Sequence, residues 1–409
     1  MTGDDNAARA GAHKRWFLLA VATVAQISMA AIRLGVLALI PFIRQDLVLD
    51  RTQIGLISTI LNAGGAAAGI PAGKAVDRFG ERLVIGLGAV GSGIVILGVG
   101  MTQSLTVLLG VLIATGLLTT AAAPAGGKIV VRRFSGSERA TAMGIRQTGV
   151  PLGGAIAAVA LPPIAFLTSW QTALCVAGLF AIVIGIAALY LYREPVETRH
   201  YEGHGPGAGI KALLARADIR AVLTYSFLFG AGQWCYLTYL TLYLTEAIHT
   251  SVIAAGTLLG AAQLCGTAGR VGWGVVSDRF FDGRRKPALL IVGGLAVVMT
   301  LAMTLMSPAT PFAVIVVITA LLGLTLQGWN GLAHTLASEL AGARVAGVAV
   351  GMTNSIGFVG VMLLPPIFGA VVDWSDSYRA AWLVLTGLLL VPLWALVYVK
   401  EPGIHDAKT

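Results

Sequence analysis

Twelve apolar runs, each long enough to cross a lipid bilayer, dominate this chain of 409 residues. The hydrocarbon core of a bilayer is about 30 Å thick, and roughly 20 helical residues span it. The chain is 56% hydrophobic and only 11% charged, whereas a soluble domain carries roughly a quarter of charged residues. The sequence therefore predicts an all-α membrane protein, with segments 1 to 12 near residues 16–42, 52–74, 83–101, 104–131, 140–165, 169–192, 219–245, 252–276, 287–306, 311–337, 345–372 and 379–399.

Lysine and arginine are distributed unevenly between the two sides of the predicted membrane. With the N-terminus in the cytoplasm, 22 of the 28 fall on the cytoplasmic side, three on the outer side and three inside the segments. Because cytoplasmic loops carry an excess of positive charge, we expect both termini to lie in the cytoplasm, beneath the inner (plasma) membrane. The net charge of +9 then matches the anionic inner leaflet and gives no reason to expect nucleic acid as a partner.

The longest stretch between apolar segments, residues 193–218, divides the chain into two halves of six segments each. It is rich in glycine and proline and ends in a short amphipathic piece, Ile210 to Arg216, which predicts a flexible connector on the inner membrane surface. We read segment 1 as a retained helix and not as a signal peptide. The predicted organisation is an N-terminal tail (1–15), a six-helix bundle (16–192), a linker (193–218), a second six-helix bundle (219–399) and a C-terminal tail (400–409).

The sequence lacks the motifs of several other protein classes. It has no phosphate-binding motif of the GxxxxGK type, which argues against ATP as the energy source. It has no His-Glu metal motif and no plausible nucleophile triad, so we predict neither an enzyme nor a cofactor. Its three cysteines all fall in predicted helices, which favours neither a disulfide nor a metal site.

A short signature occurs twice, each time between two apolar segments. Residues 73–82 and residues 274–285 both begin with glycine, continue with Asp-Arg after three intervening residues, and end with a glycine followed by arginine. The second copy has two extra residues before its later glycine. Asp77 and Asp278 are 201 residues apart, as are the first glycines, so one half of the chain repeats the other.

This signature resembles the cytoplasmic loop motif of the major facilitator superfamily, which follows the second and eighth membrane helices in that family. The resemblance implies a monomeric fold of two six-helix bundles around a central cavity, lined mainly by helices 1, 4, 7 and 10. It also implies that the first glycine of each copy lets helices approach and that the aspartates act as conformational latches. The gating residues implied in this way are Gly73, Asp77, Arg78, Gly80, Arg82, Gly274, Asp278 and Arg279.

Three arginines, Arg33, Arg146 and Arg270, lie inside apolar segments. A charge there costs about 2.5–3.5 kcal/mol on insertion scales. All 19 Asp and Glu residues fall in loops, termini or segment ends, so an anionic substrate is the simplest partner for a guanidinium group. Other roles stay open: orientation towards the outer interface or carbonyl capping for Arg33, anchoring at the inner interface for Arg146, and the nearby loop network for Arg270.

Polar side chains share faces with these arginines and extend the predicted substrate site. Gln26 precedes Arg33 by seven residues, and Gln263 precedes Arg270 by the same spacing. Each polar residue is equally consistent with helix–helix contact, which is common in membranes. His334 is the candidate proton site because histidine titrates near neutrality. The remaining candidates lie in segments 5, 7, 10 and 11: Gln147, Gln233, Trp234, Gln327, Trp329, Asn330 and Asn354.

Short stretches resemble particular branches of that superfamily. Residues 270–278 resemble the eighth helix of monocarboxylate transporters and of the oxalate/formate antiporter, which implies a substrate-binding role for Arg270. Residues 31–35 and 328–331 are similar to bacterial cyanate-permease-type members. Segment 11 lacks the lysine of the oxalate antiporter, and residues 149–154 match the Gly-Pro motif of drug/proton antiporters only in part.

The sequence therefore predicts a secondary transporter that moves a small, carboxylate-like organic anion by alternating access. The anion is the expected charge partner of the intramembrane arginines, and the expected coupling ion is a proton. Its expected partners are that anion, H+ and the lipid bilayer. Efflux of an amphipathic drug or metabolite by proton antiport is the main alternative, and a transport-dead receptor or scaffold is a remote one.

Overall fold

A computed structural model describes residues 3–102, 104–120, 125, 129, 134, 142–143, 145–192, 210–342, 345–399 and 401; within these ranges, the side chains of residues 3–14, 69, 70, 73, 77, 101, 210, 346 and 347 are not described. The described residues are almost entirely helical. They form two compact units, residues 1–47 with 60–198 and residues 48–59 with 199–409.

The first unit is built around α1, which packs on α5 and α6. Helix α3 joins predicted segments 2 and 3 and turns at Gly80, where φ is +83°, a conformation that glycine adopts readily. The second copy of the signature has the same feature at Gly283, where φ is +74°. The helices are α1 (Gly3–Ala38), α2 (Ile40–Leu47), α3 (Arg51–Leu97), α4 (Leu105–Thr119), α5 (Gly149–Leu167) and α6 (Trp170–Leu191), with a 3-10 turn at Gly98–Met101.

The second unit repeats these pairings. Helix α8 packs on α13 and α14, α9 packs on α11, and α10 packs on α14. The α8–α13 pair joins segments 7 and 11, as the α1–α5 pair joins segments 1 and 5. The helices are α7 (Ile210–Ala215), α8 (Ala217–Glu246), α9 (Val252–Phe280), α10 (Arg285–Leu305), α11 (Phe312–Leu326), α12 (Asn330–Ala341), α13 (Ala346–Ser375) and α14 (Tyr378–Val397).

Nine helical stretches of the described residues are long and apolar enough to cross a membrane, and α4 is a shorter apolar helix. Segments 2 and 7 are not among these nine, although both are helical, in α3 and α8. Segment 7 carries polar side chains, which lower its hydropathy, but Gln233, Thr238 and Thr241 are buried. A polar helix that packs on all sides against other helices needs fewer apolar residues than one that faces lipid.

The prediction of one continuous helix over residues 311–337 is wrong. Helix α11 ends at Leu326 and α12 begins at Asn330. The amide of Gln327 donates to the Gly323 carbonyl and that of Gly328 to the Thr325 carbonyl, so the helix tightens into a turn before it stops. Polar residues begin at the break with Gln327 and Asn330, but a fall in hydropathy alone does not distinguish a break from a polar stretch inside a continuous helix, such as that of α8.

The start of α3 belongs to the second unit because a polar cluster holds it there. We call this the Arg51 cluster; it comprises Arg51, Thr52, Glu246, Asp373 and Tyr378. Arg51 lies 3.1 Å from Glu246, and Asp373 accepts hydrogen bonds from the backbone amides of Arg51 and Thr52 at 3.0 and 2.8 Å. Burial alone would lower the pKa of Arg51, but its hydrogen bonds and charge interactions with Tyr378 and Glu246 raise it above the ordinary value.

Candidate functional site

The break between α11 and α12 positions the guanidinium group of Arg270. Where a helix stops, its last carbonyls lose their helical partners and accept from other donors. The Nε of Arg270 donates to the Gln327 carbonyl at 3.0 Å, and the indole nitrogen of Trp273 donates to the Leu324 carbonyl at 3.0 Å. Two side chains of α9 therefore satisfy backbone groups that the break leaves open.

Close packing of α9 on α11 makes these contacts possible. A Cβ at Gly269 would collide with the Leu324 carbonyl oxygen, so only glycine permits this separation of the two backbones. At Gly272, three residues later on the same helix, a Cβ would meet nothing within 4 Å. The tight contact extends along α9 from Ala262 to Gly269, since a Cβ at Gly323 would also collide with the Ala262 carbonyl oxygen.

The Nη nitrogens of Arg270 are available to a ligand. Of its side-chain nitrogens only Nε is bound within the part of the chain that the structure describes. The residue is half-buried and lies near enough to His334 on α12 for the two to interact electrostatically. A guanidinium group fixed through Nε presents its two remaining nitrogens in the geometry that a carboxylate or sulfonate accepts in a bidentate manner.

Further polar side chains of the second unit lie on α8 and around the break. The amide of Asn330 donates to Gln233 at 3.4 Å, a long hydrogen bond. Trp329 is buried against Tyr225 and Phe229, and its indole N–H has no acceptor among the described residues. Among the described residues, the Asn330 amide therefore makes only a weak hydrogen bond, and the Trp329 indole N–H makes none.

The side chains of Gln327 and Gln263 are buried among neighbouring helices. The Gln327 side chain donates to the Ala262 carbonyl at 3.3 Å, and its Cβ lies 2.7 Å from where a Cβ at Gly266 would stand. Gln263 is 2% exposed, so it is enclosed by protein. For Gln327 the structure favours the alternative that the sequence left open, contact between helices.

The first unit holds its own arginine in a different way. Arg33 on α1 donates through Nη2 to the side-chain oxygen of Asn62 on α3. Asn62 is fully buried. A Cβ at Gly65, one turn further along α3, would lie 2.7 Å from the Thr120 hydroxyl and 3.9 Å from Arg33 Nη2. We call Arg33, Asn62, Gly65 and Thr120 the Arg33 cluster.

Sequence reasoning missed Asn62. The one available indicator was an amide in the middle of a predicted segment that, apart from Gln53 at its start, is made of apolar, glycine and hydroxyl residues up to its final lysine. Spacing along a single helix could not pair it with Arg33, because the contact joins two different helices. The predicted partner of Arg33 on its own helix, Gln26, is buried, and its side-chain oxygen has no donor among the described residues.

The second copy of the signature forms an ionic network between helices. Asp278 at the end of α9 pairs with Arg285 at the start of α10, and Arg285 also lies 3.4 Å from Glu339 on α12. The neighbouring Arg279, which the resemblance implied, is exposed. Gly274 does not permit a close approach: a Cβ there would meet none of the described atoms within 4 Å.

The first copy has different contacts. Glu81 is 1% exposed and accepts a hydrogen bond from the Tyr192 hydroxyl at 2.5 Å. Arg82 donates to the Leu189 carbonyl at 2.5 Å, so the turn after Gly80 is joined to the end of α6. Arg78 is exposed. The surroundings of Gly73 and the side chain of Asp77 are not described by the structure.

The family model of the Major Facilitator Superfamily matches residues 18–365. The chain belongs to the major facilitator superfamily. It is therefore a multi-pass membrane transporter of that superfamily and not an enzyme, with the expected all-α fold of two six-helix bundles.

Several curated relatives of this superfamily member match along most of their length. A probable L-galactonate transporter of Escherichia coli is 25% identical over 390 residues, covering 90% of this chain and 85% of the relative. A probable sulfoacetate transporter of Cupriavidus necator is 26% identical over 390 residues, covering 90% of each. A hexuronate transporter of Bacillus subtilis is 25% identical over 390 residues, covering 89% of each.

Solved structures of other transporters share the fold. The nucleoside transporter NupG aligns with a TM-score of 0.78 at 15% identity, over 95% of this chain and all of that chain. A bacterial homologue of the human lysosomal transporter Spinster, in an inward-facing and occupied conformation, aligns with a TM-score of 0.74 at 17% identity, over 94% of each chain. At these identities the likeness shows the fold alone.

The remaining predicted site residues of this facilitator-superfamily chain have varied surroundings. Arg146 is 4% exposed, and Trp234 is half-buried. Gln147 and Asn354 are exposed, and the amide of Asn354 donates to a carbonyl of its own helix, that of Val350, at 3.1 Å. The described contacts of Asn354 therefore do not connect it with Arg33 or Arg270.

Proposed function

We propose that this transporter moves a small, hydroxylated organic anion across the plasma membrane by alternating access, with Arg270 as the principal anion contact. The observation that carries the proposal is the fixed guanidinium of Arg270, held through Nε with both Nη nitrogens unoccupied by described residues. The break beside it also starts a new helix, α12, and the N-terminal amides of a helix favour negative charge.

The names of relatives support an acidic substrate. Those relatives are described as transporters of L-galactonate, sulfoacetate, hexuronate and, for another Bacillus subtilis protein that is 23% identical over 414 residues, galactarate or D-glucarate. Every compound named carries a carboxylate, a sulfonate or both, and most carry hydroxyl groups. We infer that this chain takes an anion of the same chemical class.

Polar groups near the break match the hydroxyl groups of such a substrate. The amides of Asn330 and Gln233 share only a long hydrogen bond of 3.4 Å, and the indole N–H of Trp329 has no described acceptor. Weakly engaged donors and acceptors in a buried site gain most from a ligand that brings matching groups. A polyhydroxy acid would supply them, and a plain fatty acid would not.

We further propose proton symport, with His334 as the proton site. The charge of Arg270 acts on His334, so a protonated His334 beside an empty site would face a like charge. An anion bound at Arg270 would offset that repulsion, and each ligand would then favour the other, as reciprocal linkage requires. Both termini lie in the cytoplasm in this proposal, and the transporter works as a monomer.

The test is binding and flux with purified protein. We expect L-galactonate, galacturonate, D-glucarate or sulfoacetate to raise the melting temperature and to drive uptake into proteoliposomes. Arg270→Ala should abolish both effects while Arg379→Ala, which removes an exposed arginine at the start of α14, should leave both unchanged. Stabilisation and uptake of a cationic drug, with no response to any anion, would contradict the proposal and favour drug antiport.

A second candidate function is ligand sensing without transport. A membrane sensor protein of Escherichia coli is 23% identical over 387 residues and covers 87% of this chain. Binding of an organic anion together with no counterflow in proteoliposomes, in protein that folds, would favour the sensor. Measurable exchange of labelled for unlabelled anion would exclude it.

A further inference from the structure

The residue before α10 does not cap that helix. The first amides of a helix have no partner within it, and a side chain just before the helix usually accepts from them. Arg284 occupies that position and makes no such bond, because a guanidinium group has no acceptor. Its own amide donates to the Phe281 carbonyl at 2.9 Å, and Pro287 has no amide proton. The amides of Arg285 and Lys286 are therefore the two that still need an acceptor.

Glu401 supplies the missing cap from beyond the last membrane helix. Its Oε1 accepts hydrogen bonds from the amides of Arg285 and Lys286, both at 2.7 Å. Residue 401 falls in the predicted C-terminal tail, yet its side chain is half-buried and bonded to α10. A carboxylate is the favoured group at a helix N-terminus, and this one also offsets the charge of three consecutive basic residues, 284–286, which the helix dipole disfavours.

Lys286 makes the contact reciprocal. Its Nζ donates to the carbonyls of Val397 and Val399 at 2.7 and 2.8 Å, at the place where α14 ends. The last carbonyls of a helix attract a cation, as its first amides attract an anion. The start of α10 and the end of α14 thus each receive, from the other, the charge that their backbone groups favour.

This double contact holds the backbone from which the Arg285 side chain extends. The guanidinium group pairs with Asp278, lies 3.4 Å from Glu339, and donates to the Ser277 hydroxyl at 3.0 Å. Those three partners lie on two other helices, α9 and α12. A side chain that reaches two helices at once keeps its geometry only if its own backbone is fixed.

The sequence repeats this arrangement at the end of each half. Residues 189–195 and 396–402, which are 207 apart, both begin with leucine and end with a basic residue, glutamate and proline. Arg82 of the first copy donates to a carbonyl near the end of α6, as the lysine of α10 does near the end of α14. Glu194, the counterpart of Glu401 in this repeat, lies outside the described residues. In each unit, a base after the glycine of the signature contacts the end of that unit's last described helix.

We propose that Glu401 is a positioning residue for the second copy of the signature: it holds the start of α10 and thereby places the Arg285 guanidinium between Asp278 and Glu339. The latch that the resemblance implies for Asp278 then depends on a carboxylate beyond the last membrane helix. This inference goes beyond the proposed function and does not depend on which substrate is carried. It differs from simple stabilisation in that the effect of Glu401 passes through Arg285.

Hydrogen–deuterium exchange of the purified full-length protein tests the contact without any ligand. The variants are Glu401→Ala and Glu401→Gln, with Asp282→Asn as the matched control. Asp282 is exposed in the turn before α10, and its side chain makes no hydrogen bond or ion pair with the described residues. Its φ is +50°, which asparagine also tolerates. The control therefore removes a negative charge from the same region but none of the described contacts.

We expect Glu401→Ala to speed exchange of the Arg285 and Lys286 amides by roughly tenfold or more, and Asp282→Asn by less than about twofold. Glu401→Gln should have a smaller effect than Glu401→Ala, because its amide oxygen still accepts. Exchange in the turn at residues 281–284 should also become faster in Glu401→Ala, since Arg285 no longer ties α9 to α10. Arg285→Gln should reproduce that second effect, and adding Glu401→Ala to it should change the turn no further. Unchanged exchange at both places in Glu401→Ala would overturn the inference.

Initial uptake rates in proteoliposomes test the link to the latch. The probe is whichever of L-galactonate, galacturonate, D-glucarate and sulfoacetate the wild type takes up. Glu401→Ala should slow uptake several-fold and leave the dissociation constant within about two-fold of wild type, with no further loss of rate in the Arg285→Gln background.

Two outcomes would show that Glu401 only stabilises the fold, and either would overturn the inference. One is a further several-fold loss of rate when Glu401→Ala is added to Arg285→Gln. The other is wild-type uptake by Glu401→Ala despite faster exchange. If the wild type takes up none of these anions, the proposed function fails, and the exchange at residues 281–284 alone decides the role of Glu401.

Discussion

Each unit of the molecule fixes one intramembrane arginine, but the two arginines are held by different kinds of partner. Arg33 donates to a side chain, that of Asn62, whereas Arg270 donates to a backbone carbonyl, that of Gln327 at the break between α11 and α12. A side-chain partner can change by one substitution, and a backbone partner cannot. The two arginines are not equivalent positions of the repeat, because the 201-residue spacing aligns Arg33 with Trp234, so each unit has its own cation and its own means of orienting it.

The largest effect we expect comes from replacing each arginine by lysine. In the second unit the free Nη nitrogens are the proposed ligand contacts, and an ammonium cannot reproduce their planar two-point geometry. Arg270→Lys should weaken anion binding by about 100-fold, close to 2.7 kcal/mol. Arg33→Lys can still donate to Asn62 and should lose only about tenfold.

Equilibrium binding of the anion to both purified variants measures this difference. Melting temperatures without ligand serve as the folding control. Equal losses for the two lysine variants would mean that the kind of partner does not matter, and the comparison between the units would fail.

Glycine-to-alanine pairs come next in expected size, because they move the backbone that orients each arginine. Gly269→Ala places a Cβ against the Leu324 carbonyl and should cost about 1–3 kcal/mol of unfolding free energy, with weaker anion binding. Gly272→Ala is the matched control on the same helix, where the added Cβ meets nothing within 4 Å. Thermal unfolding and ligand titration of both proteins give the answer, and similar losses in the two would refute the role of the close contact.

A smaller effect is expected at His334, which has no counterpart in the Arg33 cluster. His334→Gln keeps a polar side chain but removes the imidazole that we propose carries the proton. Uptake by the variant should vary by less than about twofold between pH 5.5 and 8, whereas wild-type uptake should fall as the pH rises and the proton is lost. A variant with the wild-type pH profile would leave His334 as a structural residue only.

The smallest effect on binding is expected at the two copies of the loop signature. Asp278→Asn removes the ion pair with Arg285, and exposed ion pairs contribute about 0–1 kcal/mol. Combined with Asp77→Asn it should slow transport several-fold and leave anion affinity within about two-fold of wild type. Initial uptake rates and thermal-shift titrations separate the two quantities, and unchanged uptake by the double variant would exclude a latch.

The sequence predicted the features that depend on local pattern. Apolar length predicted the membrane helices, and the duplicated signature predicted two equivalent stretches between helices, in which Gly80 and Gly283 both have positive φ values. It could not predict features that depend on contacts between helices. The Arg33–Asn62 hydrogen bond joins α1 and α3, and the break at residues 327–329 leaves carbonyls that Arg270 and Trp273 of another helix satisfy.

The ion pair of Asp278, in the second copy of the signature, also depends on a contact between helices. The resemblance named Arg279 among the gating residues, but it is Arg285, on the next helix, that forms the ion pair with Asp278. In a helix, adjacent residues point in different directions, so the neighbour in sequence is the poorer partner. The turn at Gly283 brings the start of α10 back beside the end of α9 and places Arg285 within reach.

Helix α3 has a practical consequence for spectroscopy, because its first nine residues belong to one compact unit and the rest to the other. A probe attached at Leu56, which is 38% exposed, would follow the second unit together with the Arg51 cluster. A probe at Leu87, which is 56% exposed on the same helix, would follow the first. A label near the start of α3 therefore reports on the second unit, although its sequence position lies in the N-terminal half.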